Sequence, residues 1–490
     1  MTTDYKRVPQ LRKGTSGQIR CNGKSVDWRI PIFIVLILQG QALNAAEKQL
    51  TFASHGHILT NIGVWSADSQ WIYYDIRSDH AGANFDGNRI ERVHVGSCKT
   101  QTVYTSDHGA CCGVVTVSPV EDRIVFIHGP EHPTEEWSYG AYHRRGVLVA
   151  ANTFGTNRTE NLDARNIVSP FTPGALRGGT HVHTFSGDGQ WVSFTYEDHV
   201  LANRDTDTAN QTTAETNQRN VGVSVPVRSV SVPNTHPRNH IGSHFSVLVT
   251  LTHDSPEPGS DQISKAFSDA WIGTHGYLRS DGSRQVRAIA FQGNVTTTSG
   301  DIISEVFVAD LPNDVSQPSD AGPLEGTTTK RPRPPAGVVQ RRLTFTQQRK
   351  FPGIQGERHW LRSHPDGSQI AFLMKDDRGI VQLWTVSPLG GDPKQLTYND
   401  HDVASAFSWS PDGTQIAHVM DGSVCVTDSQ SGITRRLTAK LPDAKSAPRP
   451  EACVFSPDSK HIAFVRAIAD ATTGEYWNQI FVADLDEPQS

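Results

Sequence analysis

Cysteine is scarce in this sequence, with six in 490 residues. Five of them follow residue 46, at positions 98, 111, 112, 425 and 453, without a regular spacing and without a C-x-x-C pair. An odd, irregular set does not form a disulfide framework, and the signature of a structural zinc site is missing. We interpret the adjacent Cys111 and Cys112 as small buried residues, with a vicinal disulfide or a soft-metal site as alternatives.

Long apolar runs are also absent. The run Ile30–Leu38 is about half as long as a bilayer span requires, follows a basic segment and precedes the small residues QGQALNAA. This order predicts a secretory signal peptide over residues 1–46, cleaved near Ala45 or Ala46, with a permanent anchor as the alternative. We therefore expect a periplasmic or otherwise exported protein without a stable membrane span.

The sequence has no excess of positive charge and no standard catalytic motif. Its formal net charge is −6, and the basic segment 1–46 contributes positively, so residues 47–490 are more acidic still. That balance argues against a nucleic-acid partner. G-x-S-x-G, H-E-x-x-H, P-loop and Rossmann motifs are missing, so whether the protein is an enzyme stays open.

A long amphipathic helical pattern is missing as well, whereas turn residues are plentiful, with 41 Gly and 28 Pro. In the stretch Asp402–Thr438, four short runs are separated by Pro-Asp-Gly, Asp-Gly and Ser-Gly. This pattern predicts a four-stranded antiparallel meander, the unit of a β-propeller blade.

Copies of this unit recur along the chain. The corner after the first strand is found six times, at 64–68, 115–119, 183–189, 363–367, 408–413 and 454–458. A seventh unit without the corner is predicted to have its strands at His244–Thr252, Val286–Phe291 and Ser304–Leu311. The sequence therefore predicts an all-β, seven-bladed propeller that occupies residues 47–490 as one domain.

The ends of the chain are expected to meet in one blade. The signature of an outermost strand, found at 340–345, 393–398 and 434–439, occurs once more at Glu47–Phe52, where no inner strands precede it. The last unit, Cys453–Leu485, has only three strands. We expect the N-terminal strand to complete it, with a loose lead-in as the alternative.

Two polar insertions, near 199–220 and 312–337, are predicted to be exposed loops. The basic patch Lys330–Arg333 is interpreted as part of a solvated linker, or as a contact for an anionic partner. Asp261–Ile272 is interpreted as a short amphipathic helix.

Histidines precede most of the predicted first strands. The sequence contains 21 histidines, and the candidates around the central channel are His57, His108, His181, His183, His240, His244, His359 and His401. Basic and acidic residues in equivalent segments are Arg177, Arg358, Arg362, Arg449 and Glu451. Such side chains could bind a divalent metal or an anionic ligand, and the period of two predicts that His181 and His183 share one face of a strand. The alternative is that these histidines only cap strand ends.

Two resemblances follow from these motifs. The segments EKQLTF, HGHILTNIGVWS, VFIHGPEHP, FTPGALRGGTHVHTFS and NHIGSHFSVLVT resemble an uncharacterised bacterial family of exported TolB-like propellers, related to WD40 propellers, which implies a fold and no activity. The H-x-H of the third blade is similar to that of oligogalacturonate lyases. That likeness implies a divalent metal (Mn, Zn or Ca) on His181, His183, His359 and Gln355.

The first functional hypothesis is an exported TolB-like scaffold in the cell envelope that binds a ligand, a protein or a glycan. The alternative is a metal-dependent oligouronate lyase with its site in the central funnel. Candidate catalytic residues are Arg177 and Arg358, and candidate ligand-binding residues are His57, His108, His359 and Arg362. A third possibility is an inert structural propeller.

Overall fold

Short strands separated by tight turns pair into seven four-stranded antiparallel sheets, the blades of a propeller. The structure is a computed structural model that describes residues 47–79, 82–156, 158–204, 214–441 and 443–485. The predicted signal peptide at 1–46 lies outside the described residues. Within them, no helix is long and apolar enough to cross a membrane.

The blades are numbered in chain order, and each is written from the innermost strand outward. Blade one is Gly56–Ile58, Trp71–Arg77, Arg89–His94 and Thr100–Thr105; blade two is Cys112–Val117, Arg123–His128, Arg145–Ala150 and Glu160–Asn161. Blade three is Gly178–Phe185, Val192–Asp198, Asn220–Val225 and Phe245–Leu248; blade four is Ile263–Trp271, Ala288–Thr296, Ile302–Asp310 and Val339–Arg342. Blade five is Arg362–Ser363, Ile370–Lys375, Val381–Val386 and Lys394–Gln395; blade six is Ser408–Trp409, Gln415–Met420, Ser423–Asp428 and Thr434–Arg436. Blade seven is Pro448–Phe455, His461–Ala469, Tyr476–Asp484 and the N-terminal Glu47–Gln49.

Blade seven combines the first and the last described strands of the chain. Glu47–Gln49 pairs antiparallel with Tyr476–Asp484, with Glu47 opposite Ala483. Leu50 is fully buried in the core cluster that also contains Val465 and Ile480. The carboxylate of Glu47 accepts a hydrogen bond of 2.8 Å from the buried Arg466, so side chains as well as backbone hold this strand.

The recurring corner has a local cause in its serine and aspartate. In blade six, the Ser410 hydroxyl donates to Asp412 Oδ1 at 2.6 Å, and the same carboxylate oxygen accepts from the backbone N–H of Thr414. The backbone N–H of Gln415 donates to Ser410 Oγ, which starts the second strand. Side chains that bond nearby backbone groups favour turns over helix or sheet, so this pair fixes the corner.

Tryptophans at or beside the corner of their blade form hydrogen bonds to the neighbouring blade. The indole N–H of Trp65 donates to Val454 O of blade seven at 3.0 Å, and that of Trp271 donates to Thr184 O of blade three at 2.9 Å. The Trp409 indole does the same to Arg362 O of blade five at 3.1 Å. A buried indole N–H needs such an acceptor, and here each acceptor belongs to the adjacent blade.

Blade four corrects two predictions. The segment interpreted as a helix, Asp261–Ile272, contains the innermost strand Ile263–Trp271, and the predicted first strand at His244–Thr252 contains the outermost strand of blade three, Phe245–Leu248. Register shifts between Ile263 and Ala266 and between Phe267 and Ala270 break the period-two pattern of the strand. The two bulges therefore change the spacing of apolar residues along this strand, so that the sequence resembles a helix.

The insertions differ in part from the prediction of exposed loops. Within 312–337, Leu324 and Arg331 are buried, and the Arg331 guanidinium donates to Asp254 at 2.6 Å and to Thr252 O at 3.0 Å. Arg331, the second residue of the basic patch Lys330–Arg333, is thus packed against the protein rather than solvated. In the other insertion, His199–Ala202 forms one helical turn, and residues 205–213 lie outside the described residues.

A bulge recurs in the innermost strands of blades two, three and four. Val114, Val182 and Ser268 have φ of 56°, 51° and 54°, and each lies three residues before the last residue of its strand. In blade three the register passes from His181–Thr195 to Thr184–Ser193, so that two residues oppose the single Phe194. The bulge reverses the facing of the residues that follow it.

Candidate functional site

The candidate site lies along the innermost strands and the segments beside them. Two neighbouring cavities of about 280 Å³ and 290 Å³ share His181, Val182, Arg358 and Trp360 in their walls. We call this pair of cavities the funnel. Other residues that line it are Thr60, Asn61, Arg77, Phe85, Val114, Tyr139, Thr195, Arg219, Phe267, Ser268, His359 and Glu451.

Three arginines of the funnel wall are held by carboxylates. Arg77 contacts Asp75 at 2.7 Å and Arg219 contacts Glu197 at 2.5 Å, both close enough for strong charge-assisted hydrogen bonds. Arg358 is held more loosely, at 3.3 Å from Glu451, and 47% of its side chain is exposed. Arg358 is therefore the guanidinium of the wall that is most available to a ligand.

Cationic groups dominate the electrostatics at His181. Burial lowers the pKa of His181 well below its usual value, and the positive charges of Arg144, Arg219 and Arg77 lower the pKa further. Arg144 itself is buried and has the neutral Tyr139 as a hydrogen-bond partner. At neutral pH, His181 is therefore an uncharged imidazole with guanidinium groups near it, two of which, Arg77 and Arg219, are paired with carboxylates.

Aromatic side chains form part of the same wall. Phe85 stacks on Tyr139 with ring centroids 4.5 Å apart, and the Arg77 guanidinium lies 4.5 Å above the Phe85 ring. A further aromatic residue, Trp360, lines both cavities of the funnel. Flat apolar faces beside convergent polar groups are typical of small-molecule sites.

Several of the sequence-predicted residues do lie at the funnel. His181, His359 and Arg358 line the same cavity. His359 uses Nδ1 for a contact of 2.6 Å with Gly356 O. Arg362 does not line the funnel, but its guanidinium donates to Asn61 Oδ1 in the funnel wall at 2.7 Å.

The remaining predicted metal ligands are engaged elsewhere. His183 is fully buried, its Nε2 lies 2.9 Å from Thr180 Oγ1, and its ring packs against Gly146 of blade two. The bulge at Val182 places His183 on the opposite face of the strand from His181, which corrects the prediction of a shared face. Gln355 donates its amide to Pro352 O at 2.8 Å. Among the described residues, no group of three or more His, Cys, Asp or Glu side chains could hold a metal ion.

Other candidates lie outside the funnel. Arg177 is buried, pairs with Asp198 at 2.7 Å and donates to Lys330 O, and it does not line either cavity. His57 has Nδ1 within 2.8 Å of Asn478 O, and His108 stacks on His132. His240 and His244 do not open blade four as predicted, because they precede the outermost strand of blade three.

Sequence reasoning missed Arg77, Arg219, Tyr139 and Trp360. The first two lie on second and third strands or beside them, away from the predicted first strands whose histidines indicated a site. Trp360 directly follows His359 in the run Arg358–Trp360, and its bulk beside two basic residues was the available signal.

A further cavity, separate from the two of the funnel, lies on the other side of the Arg362–Asn61 contact. Its volume is about 390 Å³, and strand-end aromatics such as Trp65, Trp271, Trp409 and Phe455 line it together with Arg362. Because Asn61 lines the funnel and Arg362 lines this cavity, their hydrogen bond lies between the two spaces.

The comparison with known proteins gives a family. A family model described as "Protein of unknown function (DUF3748)" matches residues 111–240. "Uncharacterized protein YidR" of Escherichia coli (strain K12) is 45% identical over 435 residues, which are 88% of this chain and 96% of the relative. The chain belongs to the DUF3748 family.

Solved structures show the fold that this DUF3748 protein shares. An oligogalacturonate lyase in complex with manganese has a TM-score of 0.50 at 12% identity, covering 90% of this chain and 94% of the lyase. The putative TolB from Agrobacterium tumefaciens has a TM-score of 0.35 at 14% identity, covering 82% of this chain and 99% of TolB. The prediction of a seven-bladed propeller in a family of unknown function is confirmed, and at this identity the lyase likeness shows the fold alone.

Proposed function

We propose that this DUF3748 protein is an exported ligand-binding propeller of the cell envelope, and that its funnel binds a small anionic ligand. The observation that supports this most is the arginine side chain that is not tightly paired: Arg358 lines both cavities, is about half exposed and lies 3.3 Å from Glu451. Arg144, close to His181, has Tyr139 rather than a carboxylate as its hydrogen-bond partner. The imidazole of His181 is uncharged at neutral pH, so in this proposal the arginines attract the anion.

The chemistry of the wall fits an acidic sugar of envelope glycans. A guanidinium binds a carboxylate through two parallel N–H donors, which adds direction to the attraction. Trp360 and the stacked pair of Phe85 and Tyr139 offer apolar faces for a sugar ring. Asn61 and Thr60 in the same cavity supply neutral polar groups for hydroxyls.

Calorimetric titration tests the proposal with galacturonate as the anionic probe and galactose as the neutral control. We expect binding of galacturonate that weakens as salt is raised, since exposed charges are screened. Arg358→Gln should weaken binding about tenfold, because a hydrogen bond to a charged group contributes about 1.5–3 kcal/mol and 1.4 kcal/mol corresponds to a factor of ten.

Arg435→Gln is the matched control, because Arg435 is an exposed arginine on the outermost strand of blade six. It should leave the affinity unchanged. Equal affinities for galacturonate and galactose, or equal effects of the two substitutions, would contradict an anion site in the funnel.

An oligouronate lyase is a second candidate, favoured by the placement of His181 and His359 in the same cavity as Arg219 and Arg358. The solved lyase named above binds manganese. The predicted ligand set of this chain does not fit a metal, because His183 and Gln355 are engaged away from His181. Stoichiometric Mn, Zn or Ca in the purified protein, together with cleavage of oligogalacturonate, would support this candidate over simple binding.

A further inference from the structure

The bulge of blade two shows what kind of group its backbone binds. The N–H of Val114, the left-handed residue of that bulge, donates to Asp75 Oδ1 at 2.9 Å. Asp75 comes from the second strand of blade one, is fully buried, and is itself held by Arg77. A carboxylate with a guanidinium beside it therefore caps this bulge.

Blade three repeats the bulge at Val182 with nearly the same backbone angle. A left-handed conformation is a genuine outlier for a β-branched residue, so the surrounding structure must hold it in place. Blades two and three thus place a valine in the same uncommon backbone conformation. In blade two, the N–H of that valine donates to a carboxylate.

The built-in carboxylate is replaced in blade three. Asp75 lies three residues after Ile72, which bridges to the corner residue Trp65 of blade one. In blade two, the corner residue Val117 pairs with Ile124. The residue that corresponds to Asp75 is therefore Ile127, three residues after Ile124. Isoleucine cannot accept a hydrogen bond, so the neighbour of blade three offers its bulge no carboxylate.

The bulge of blade three also faces the ligand cavity. Val182 lines both cavities of the funnel, next to His181, and Arg219 and Arg358 line the same wall. Guanidinium groups line this wall, as Arg77 lies beside Asp75, but among the described residues no side-chain carboxylate accepts a hydrogen bond from the Val182 N–H. Backbone N–H groups in such left-handed turns form anion-binding concavities.

We propose that the backbone N–H of Val182 binds a carboxylate of the ligand in the cavity that Arg219 and Arg358 line, as the N–H of Val114 binds Asp75. This inference rests on the proposed function and specifies its ligand class as a carboxylate, for example that of a uronic acid. In blade three, the carboxylate of the ligand takes the place that the Asp75 carboxylate of blade one has at the bulge of blade two.

The test follows the two valine amides in the full chain labelled with ¹⁵N-valine, during a titration with galacturonate. The Val182 amide proton should shift downfield and saturate with the affinity found by calorimetry, since it gains a charged acceptor. The Val114 amide, already capped by Asp75, is the internal control and should not shift. Val182→Gly assigns the Val182 signal by its disappearance while keeping an N–H and tolerating the positive φ.

The outcomes separate the inference from the proposed function. If calorimetry shows binding of galacturonate and the Val182 amide does not move, the carboxylate is bound elsewhere in the funnel and the inference is wrong, while the proposed function stands. If calorimetry shows no binding, both are wrong. Galactose should leave both amides unshifted, and a Val182 shift with galactose equal to that with galacturonate also contradicts the inference.

Ile127→Asp offers an independent check, because it supplies blade two with the carboxylate that blade one has. We expect the Val182 amide to be shifted without ligand and galacturonate affinity to fall at least tenfold. A folded variant with unchanged affinity would overturn the inference. Ile127 is fully buried, so if this variant fails to fold, the titration of the unmutated chain decides the matter.

Discussion

At the scale of single residues, one repeat position explains why the H-x-H motif does not act as a pair. The residue that follows the bulge is Val115 in blade two, His183 in blade three and Asp269 in blade four, and all three are buried. The bulge adds one residue to the strand, so this position faces the neighbouring blade and not the funnel. The period-two rule put His181 and His183 on one face, and the bulge puts them on opposite faces, because sequence alone does not show an inserted residue.

Asp269 at this position makes the stability of the protein pH-dependent. Burial raises the pKa of Asp269 to about 6, with Ser193 and Arg362 acting in the opposite direction. Because the folded-state pKa lies above the unfolded-state value, this group lowers stability as pH rises from about 4 through 6, and the loss persists above that range.

Asp269→Asn should therefore raise the apparent Tm at pH 8. It removes the cost of keeping a buried carboxylate ionised, which is about 3 kcal/mol for a pKa that lies roughly two pH units above the unfolded-state value. The gain should shrink steadily as pH is lowered to 5. The measurement is thermal unfolding across this range, with the exposed Asp392→Asn as the control. A gain that does not depend on pH would show that ionisation of Asp269 is not its cause.

His181 and His183 can be separated by their alanine variants. His181→Ala should weaken galacturonate binding with little change in Tm, because His181 lines the funnel. His183→Ala should lower Tm and leave the affinity of the folded protein unchanged, because it removes a buried ring between blades two and three. A thermal shift with Mn, Zn or Ca that both substitutions abolish would instead support the metal site predicted from sequence.

At the scale of strands, the corner motif made most blades predictable. Six corners mark six blades, and in four of them a serine hydroxyl donates to an aspartate two residues later, so the side chains that form the turn are local. Blade four has Trp271-Ile-Gly at the equivalent place and no Ser-x-Asp, so its innermost strand was misassigned. Trp271 itself was the usable signal, because Trp65 and Trp409 belong to the corners of blades one and six.

The N-terminal strand gives a prediction at this scale. Leu50 is fully buried in the core beside blade seven, whereas Phe52, two residues later, is 67% exposed. Leu50→Ala should cost about 2–5 kcal/mol of unfolding free energy, the usual range for a buried leucine. Phe52→Ala should change it by less than about 0.5 kcal/mol.

Chemical denaturation of the two variants checks this contrast. Deletion of residues 47–52 should be more destabilising than either substitution, because it also removes the ion pair of Glu47 with Arg466 and exposes the edge of Tyr476–Asp484. Equal stabilities of the Leu50 and Phe52 variants would mean that this segment does not belong to the core of blade seven.

At the scale of the whole molecule, the two ends of the channel have different characters. The funnel is lined by arginines, histidines and aromatics, and the opposite cavity mainly by apolar strand ends. The Arg362–Asn61 contact separates them. The sequence predicted a ring of basic residues at the mouth, but not which of them face inward, because this depends on bulges and on pairing between blades that no local pattern encodes.

Export is the remaining whole-molecule prediction. Residues 1–29 are basic, Ile30–Leu38 is apolar, and small residues lead to Ala46, so cleavage is expected just before Glu47. The structure adds a reason for this position. Glu47 pairs with Arg466, whose side chain is 1% exposed, so cleavage one residue later would leave a buried guanidinium without its carboxylate.

Mass spectrometry of the protein isolated from the periplasmic fraction should therefore find a chain that begins at or within one residue of Glu47 and retains that carboxylate. Ile34→Arg, which interrupts the apolar run, should leave the uncleaved chain in the cytoplasm, because a charge in this region opposes recognition as a signal. Ile90→Val, a mild change in the core of blade one, is the control for effects of folding alone and should be exported normally. An unmutated protein that is recovered from membranes with Ile30–Leu38 intact would show that this segment is an anchor, and the propeller would then act from the membrane surface.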